Sequence, residues 1–159
     1  MLLTVGVGDL KISNDPEDVL ITHALGSCIG VAVYDPEVNV GGLLHYMLPD
    51  SNVDPEKSKR SPFMFADTGI PYLFKSCYKL GAKKSRMLVK VAGGSQIMDD
   101  AGVFNIGKRN YTALRKIFWR NNVKIDVEAV GGKVNRTIRL AIKSGEVMIK
   151  VSGEKYRVL

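Results

Sequence analysis

The chain has 159 residues, of which 45% are hydrophobic and 25% charged, and it carries a net charge of +7 at pH 7. Such a chain is most simply one globular domain, whose core is large enough to form without disulfide bonds. No apolar run reaches the roughly 18–20 residues that span a bilayer, and the N-terminus lacks a charged leader followed by a long hydrophobic region. We therefore expect a cytoplasmic protein without membrane insertion, whose two cysteines are reduced thiols.

The basic charge suggests a partner, because such surfaces attract nucleic acid, anionic membranes or acidic proteins. The basic residues are dispersed over residues 57–60, 83–86, 108–109 and 136–139. No nucleic-acid motif and no pattern of stacking aromatic residues accompanies them. This favours a solvated basic surface and predicts no nucleic-acid partner, with a nucleic-acid-binding module kept as the weaker hypothesis.

The first third of the chain reads as strands. Residues 2–7 and 19–22 are strand candidates, separated by a turn at residues 14–16. Two apolar runs, residues 29–34 and 40–44, flank a turn-rich segment and predict a hairpin. Cys28 precedes the first of these strands and His45 ends the second, so antiparallel pairing makes them neighbours.

The next segment predicts a loop and then a helix. Residues 51–61 are polar, with several charges, and indicate a mobile loop. Asp67 is a candidate N-cap of a helix that stops at Gly81. Helical spacing places four residues on one apolar stripe, namely Ile70, Leu73, Phe74 and Cys77. Cys77 is therefore interpreted as a core residue, and Cys28 remains the candidate nucleophile.

The remaining elements complete a mixed pattern of strands and helices. A strand at residues 87–92 ends in Gly93-Gly94-Ser95, which suits either an anion site or a tight turn but is not a P-loop. A second helix is predicted over residues 107–121, with Tyr111, Leu114, Ile117 and Phe118 facing inward. Three strands follow, at residues 123–130, 136–142 and 147–151.

A reactive cysteine needs a nearby base, because the thiolate is the nucleophile. His23 is nearer to Cys28 in sequence, but the hairpin brings His45 close without special bending, so geometry favours His45. The base also needs an acceptor on its other ring nitrogen, and Thr22, a backbone carbonyl or Asp50 could each supply it. The residues show no zinc-binding spacing, and we predict no metal and no cofactor. A buried cysteine beside an ordinary histidine is the structural alternative.

Several short motifs occur in an order that identifies a family. They are Thr22 with Gly26-Ser27-Cys28, Gly41-Gly42 with His45, Leu48-Pro49-Asp50-Ser51, Phe65-Ala66-Asp67, Lys90-Val91-Ala92-Gly93-Gly94, residues 105–110, and Gly131-Gly132 with Arg136. The chain resembles the CheD family, the chemoreceptor glutamine deamidases of bacterial chemotaxis. The motifs cover nearly the whole length and imply a single deamidase domain over residues 1–159. Two departures, at residues 95–99 and at Ala129, would bear on partner contacts or substrate choice.

The resemblance implies a catalytic triad of Cys28, His45 and Thr22, acting on receptor glutamines through a thioester. Backbone N–H groups around Ser27 and Cys28, with Gly26, would support the oxyanion. The implied fold is α+β, with mixed β-sheets packed as a sandwich and flanked by helices in α/β/β/α layers, similar to the cytotoxic necrotizing factor deamidases. The partners implied are chemoreceptor cytoplasmic domains and a CheC-like phosphatase. Regulatory binding of that phosphatase, with little or no turnover, is the main alternative to catalysis.

Overall fold

A computed structural model describes residues 1–96 and 105–159. The strands are β1 Leu2–Thr4, β2 Asp9–Ser13, β3 Val19–Leu25, β4 Ile29–Asp35, β5 Val40–Tyr46, β6 Leu88–Gly93, β7 Val127–Val130, β8 Arg136–Ala141, β9 Val147–Val151 and β10 Arg157–Val158. The helices are α1 Pro55–Arg60, α2 Ala66–Lys79 and α3 Ile106–Arg120, with short 3₁₀ turns at Ser51–Val53, Pro62–Met64 and Lys84–Arg86. Among these described residues, no helix is long and apolar enough to cross a membrane.

The strands form two five-stranded sheets. The first sheet has the order β1-β3-β8-β9-β10, and the second has the order β2-β5-β4-β6-β7. Both sheets are mixed, because β1 pairs parallel with β3 and β6 pairs parallel with β7, while the other pairs are antiparallel. The predicted α+β class with two mixed sheets is confirmed.

The two sheets pack face to face around a shared apolar core. Alternate residues of each strand point to one face, so β8 presents Ile138 and Leu140 to this core while their neighbours lie on the other face. The buried residues of the cluster are Val5, Leu20, Leu25, Ala32, Tyr34, Leu43, Ala92, Ile138, Leu140, Ile142, Val147 and Ile149.

Both long helices cover the other face of the second sheet. The predicted stripe of α2 is buried there, and Leu114 and Phe118 of α3 join the same core cluster. Gly81 follows the end of α2 with φ +97°, as the predicted stop requires. Since α2 and α3 lie on the same sheet, the described layers run sheet, sheet, helix. The expected α/β/β/α order is wrong in this respect, because neither long helix covers the outer face of the first sheet.

Several predicted boundaries differ from the structure. The first predicted strand ends at Thr4, and the strand predicted from residue 123 begins only at Val127. The predicted loop contains α1, which Asp54 caps by accepting a hydrogen bond from the Lys57 N–H. Asp67 is not the N-cap of α2, because its carboxylate accepts hydrogen bonds from the N–H and hydroxyl of Ser51. Of the departures from the family pattern, residues 97–99 lie outside the described residues.

Candidate active site

The predicted hairpin of β4 and β5 places Cys28 and His45 at the same end of two neighbouring strands. The register pairs Gly30 with His45 and Ile29 with Tyr46, and Cys28 directly precedes β4. Residues two apart share a face of a strand, so Cys28 is the diagonal neighbour of His45. A Cβ built on Gly30 would contact Leu25 and Ile138, which shows that this face is turned toward the first sheet. Cys28 itself packs against the core between the sheets.

Thr22 reaches His45 from the first sheet. Its Oγ1 atom lies 2.7 Å from Nδ1 of His45, and its hydroxyl donates to the Val5 carbonyl at 2.7 Å. A threonine hydroxyl has one proton, so it must accept the hydrogen bond from His45. Nδ1 therefore carries the ring proton, and Nε2 has a free lone pair. The Nε2 atom is buried and makes no hydrogen bond within the described residues.

His23 lies on the other side of β3. Thr22 is buried whereas His23 is exposed, as the alternation of a strand requires. Beyond His23 the ladder with β8 has a register shift between Thr22 and Leu25, and Ala24 adopts a positive φ of 57°. The structure thus brings His45, rather than His23, to Thr22 and to the strand that follows Cys28.

Burial sets the protonation states of the pair. His45 is fully buried, and desolvation lowers its pKa to about 4, so the imidazole is neutral at pH 7. Burial also raises the pKa of the Cys28 thiol above its ordinary value, against a smaller opposing effect of a backbone hydrogen bond. At pH 7 the pair therefore consists of a neutral thiol and a neutral imidazole whose Nε2 has a lone pair that can accept a proton.

The segment after β6 holds the loop that carries Cys28. The Gly94 N–H donates to the Cys28 carbonyl at 2.9 Å, and the Ser95 N–H donates to the Gly26 carbonyl at 2.8 Å. Gly93 has φ +118°, and a Cβ at this position would lie 2.1 Å from the Cys28 carbonyl oxygen. These contacts hold in place the loop that carries Cys28, which we call the nucleophile loop. They also occupy the N–H groups of Gly94 and Ser95, so the segment does not form an anion site.

Asn110 is a site residue that the sequence analysis did not single out. It is fully buried in α3, and its Nδ2 group donates to the carbonyls of Ser27 at 2.9 Å and Met47 at 2.8 Å. One side chain thus joins the residue before Cys28 to the chain just beyond His45. Asn110 could have been identified from the sequence by its position one helical turn before Leu114, which puts a polar residue on the apolar face of the helix.

The backbone N–H groups near Cys28 differ in whether they are available to bind an oxyanion. The Gly26 N–H donates to the Ala24 carbonyl at 2.9 Å, so it is already engaged. Within residues 1–96 and 105–159, the Ser27 and Cys28 N–H groups donate no hydrogen bond to another residue. Of the two residues predicted to support an oxyanion, Ser27 has an unengaged amide and Gly26 does not. The described part of the chain contains no cluster of three or more His, Cys, Asp or Glu residues that could hold a metal ion.

Comparison with known proteins identifies the family of this chain. The family model described as CheD chemotactic sensory transduction matches residues 47–151. A probable chemoreceptor glutamine deamidase CheD 1 of Syntrophus aciditrophicus is 58% identical over 98% of this chain and 97% of its own length. The chain belongs to the CheD family. CheD relatives from Solibacter usitatus and Anaeromyxobacter dehalogenans are 50% and 46% identical, each over 99% of this chain and over 93% and 99% of their own lengths.

The family model begins at residue 47, so Thr22, Cys28 and His45 of this CheD chain lie before the matched range. The full-length relatives do span that region. The fold comparison found a crystal structure of a Neisseria meningitidis protein of family DUF152, with a TM-score of 0.46 and 11% identity over 83% of this chain and 64% of that one.

Arg136 is the second buried polar residue that the family motifs contained without a predicted role. Its Nη1 atom donates to the Gly93 carbonyl at 3.2 Å and to the Ser95 hydroxyl at 3.0 Å. Burial lowers the pKa of Arg136, with a smaller effect from the nearby Arg157. Arg136 therefore stabilises Gly93 and Ser95, which belong to the segment that holds the loop of Cys28 in place. It forms no hydrogen bond with His45, so its effect on the nucleophile is indirect.

Proposed function

We propose that this protein is a chemoreceptor glutamine deamidase, which hydrolyses receptor glutamine side chains to glutamate and releases ammonia. The relatives named as probable chemoreceptor glutamine deamidases support this over nearly the whole chain. The observation that carries it is the relay in which His45 donates from Nδ1 to Thr22 and keeps a buried, unoccupied Nε2 on the face of β5 that Cys28 adjoins. A neutral imidazole in this state is a general base for a thiol.

The proposed reaction has two halves. The Cys28 thiol transfers its proton to Nε2 of His45 as sulfur attacks the glutamine amide carbon. The resulting imidazolium returns that proton to the departing amine, which leaves as ammonia, and a thioester remains. A water molecule then loses a proton to Nε2 and attacks the thioester, and the proton returns to the thiolate as glutamate leaves.

The two polar contacts around the pair have separate parts in this scheme. Thr22 accepts the Nδ1 hydrogen bond throughout, which keeps Nε2 oriented and stabilises the imidazolium that forms transiently. The N–H groups of Ser27 and Cys28, which donate to no other described residue, are suited to the negative charge on the former amide oxygen. Thr22 and His45 are buried, so the first of these electrostatic interactions is stronger than it would be in water.

The remaining predictions concern partners. We expect the protein in the cytoplasm, because its proposed substrates are the cytoplasmic domains of chemoreceptors. Binding of a CheC-like phosphatase stays a second, non-catalytic role. The two roles are separable, because removal of the Cys28 thiol abolishes turnover and leaves the protein surface intact.

The test is turnover on a chemoreceptor cytoplasmic fragment. Wild type, Cys28→Ala and Cys77→Ala are incubated with the fragment, and ammonia and peptide masses are followed. We expect ammonia and a glutamine-to-glutamate mass change with wild type and Cys77→Ala, and neither with Cys28→Ala. Cys77 is the matched control because it is buried on α2 against the face of the second sheet opposite to the one that Cys28 adjoins. Absence of deamidation by folded wild type across several receptors would overturn the proposal.

A further inference from the structure

The outward face of α3 carries basic side chains that form no ion pair within the described residues. Lys108, Lys116 and Arg120 are exposed and follow the four-residue spacing of one helix face, with Thr112 completing it. We refer to these four residues as the basic face. Its three cations form no ion pair within residues 1–96 and 105–159, and α3 contains no acidic residue.

The charge arrangement is unfavourable for the helix itself. Lys108 lies in the first turn, where the helix dipole is already positive, and Lys116 and Arg120 are like charges four residues apart. Each of these placements costs a few tenths of a kcal/mol, about the size of a favourable pair of opposite sign. Stabilisation of α3 therefore does not account for the basic face, whereas attraction of an anionic partner does.

A groove lies along the basic face and begins near the nucleophile loop. It has a volume of about 530 Å³ and is lined by the three cations, by Arg109, and by Pro49 and Asp50 from the chain beyond β5. Two carboxylates also line it, but Asp67 is bound to Ser51 and Asp50 accepts from the Asn52 N–H. Neither carboxylate forms an ion pair with Lys108, Lys116 or Arg120, and the basic side chains that line the groove outnumber the acidic ones.

Asn110 fixes the position of this groove relative to Cys28. It lies at the start of α3 and hydrogen-bonds the carbonyls of Ser27 and Met47, just before Pro49. From Asn110 to Arg120 the helix rises about 15 Å, at ~1.5 Å per residue. A protein chain that places a glutamine at Cys28 and extends along α3 would therefore contact the basic face.

The exposed tryptophan adds an apolar anchor at the end of this face. Trp119 is 82% exposed, and it lines a second groove of about 560 Å³ that shares Thr112 and Lys116 with the first. Tryptophan and arginine are the residues most enriched at energetically important positions of protein interfaces. An exposed tryptophan beside unpaired cations matches a surface that binds another protein.

We propose that the basic face, together with Trp119, docks an acidic surface of the protein substrate and so directs its glutamine to Cys28. The inference rests on the proposed function and names the chemistry by which the substrate is recognised. A single tryptophan on one side of a helix does not offer the successive stacking surfaces that single-stranded nucleic acid uses, so the observations favour a protein.

The test compares two charge reversals of equal size. Lys108→Glu/Lys116→Glu removes charge from the basic face, and Lys143→Glu/Lys155→Glu removes the same charge from exposed lysines near β8 and β9. With a receptor cytoplasmic fragment we expect the first variant to raise KM about tenfold and to leave kcat within about twofold, because rim charges act mainly on association. The control should change KM less than twofold. Alkylation of Cys28 by iodoacetamide should proceed equally in both, which checks that the site is intact.

Tryptophan fluorescence gives a second readout that needs no turnover. Trp119 is the only tryptophan of the chain, so its emission should shift when the fragment binds the Cys28→Ala protein, and added salt should reverse the shift. A KM change no larger than that of the control, or binding without a change of emission, would overturn the docking proposal. So would a shift produced by duplex or single-stranded DNA and not by the fragment. If the emission shifts but wild type shows no deamidation, the docking surface stands and the deamidase proposal fails.

Discussion

The hydroxyl of Thr22 has a single proton, and the structure commits that proton to the Val5 carbonyl. His45 must then be the donor in the hydrogen bond between them, which assigns its tautomer from contacts alone. The sequence analysis left Thr22, a backbone carbonyl and Asp50 as possible acceptors for His45. Only packing of the two sheets distinguishes these, because Thr22 lies 23 residues from His45 and on the other sheet.

Burial of His45 predicts a dependence of stability on pH. Its pKa is about 4 in the folded chain, against about 6.5 in the unfolded chain. Between these values the unfolded state binds more protons, so the free energy of unfolding is highest above pH 6.5 and decreases as the pH falls toward 4. The expected loss between pH 7 and pH 4.5 is about 2–3 kcal/mol from this residue.

Urea unfolding of wild type and His45→Gln at both pH values measures this contribution. Glutamine does not titrate, so the variant should lose less stability on acidification, by about 2–3 kcal/mol, whatever its stability at pH 7. Equal losses in the two proteins would show that His45 is not the group responsible.

At the scale of elements, the sequence predicted what local patterns determine. The β4 and β5 hairpin follows from two apolar runs around a turn, and the apolar stripe of α2 follows from helical spacing. The edge strand β2 was missed, because the five residues 9–13 mix polar and apolar side chains and are identified as a strand only by pairing with β5. Asn110 was missed for a similar reason, since its partners lie 83 and 63 residues away.

The link that Asn110 makes between α3 and the two loops gives a prediction at this scale. Asn110→Ala leaves the partly buried carbonyls of Ser27 and Met47 without their donor, which should lower the free energy of unfolding by about 2–4 kcal/mol. The nucleophile loop would also lose a constraint on its position. We therefore expect kcat on the receptor fragment to fall at least about tenfold, with a smaller change in KM.

The matched control for this variant is Asn121→Ala at the other end of α3, where the exposed side chain of Asn121 donates only to the Ile117 carbonyl of its own helix. Circular dichroism and single-turnover deamidation compare the two. If kcat of Asn110→Ala stayed at the wild-type level in a folded sample, the positioning role of Asn110 would be wrong.

At the scale of the whole molecule, the site depends on the packing of one sheet on the other. Leu140 of β8 is buried in the core between them, and it pairs with Leu20 on the strand that carries Thr22. Leu140→Ala should destabilise the protein by about 2–5 kcal/mol, because it leaves a cavity in this core. Activity and folded structure should then be lost at the same, lower temperature.

Leu88→Ala is the control for that prediction, since Leu88 is 43% exposed on β6 and should cost less than about 1 kcal/mol. Thermal unfolding by circular dichroism and residual deamidase activity are measured on the same samples. Activity that disappears well below the unfolding midpoint of Leu140→Ala would mean that the sheets separate at the site before the chain unfolds.

The layer order is the part of the fold that residue patterns left undetermined. Strand alternation identifies two faces for each sheet but does not say which face a helix covers. The resemblance implied helices on both sides, whereas α2 and α3 share one sheet because their apolar stripes meet in a single cluster with β4 and β5.

The position of Thr22 between distant strands has a consequence for biosynthesis. Its strand, β3, is paired on one side with β1 and on the other with β8, which lies near the C-terminal end of the chain. The ribosome delivers the Cys28 and His45 hairpin long before β8 emerges. A nascent chain therefore contains the nucleophile and the base without the completed sheet that fixes Thr22 against His45. We therefore expect activity to begin only after β8 has been synthesised and has paired with β3.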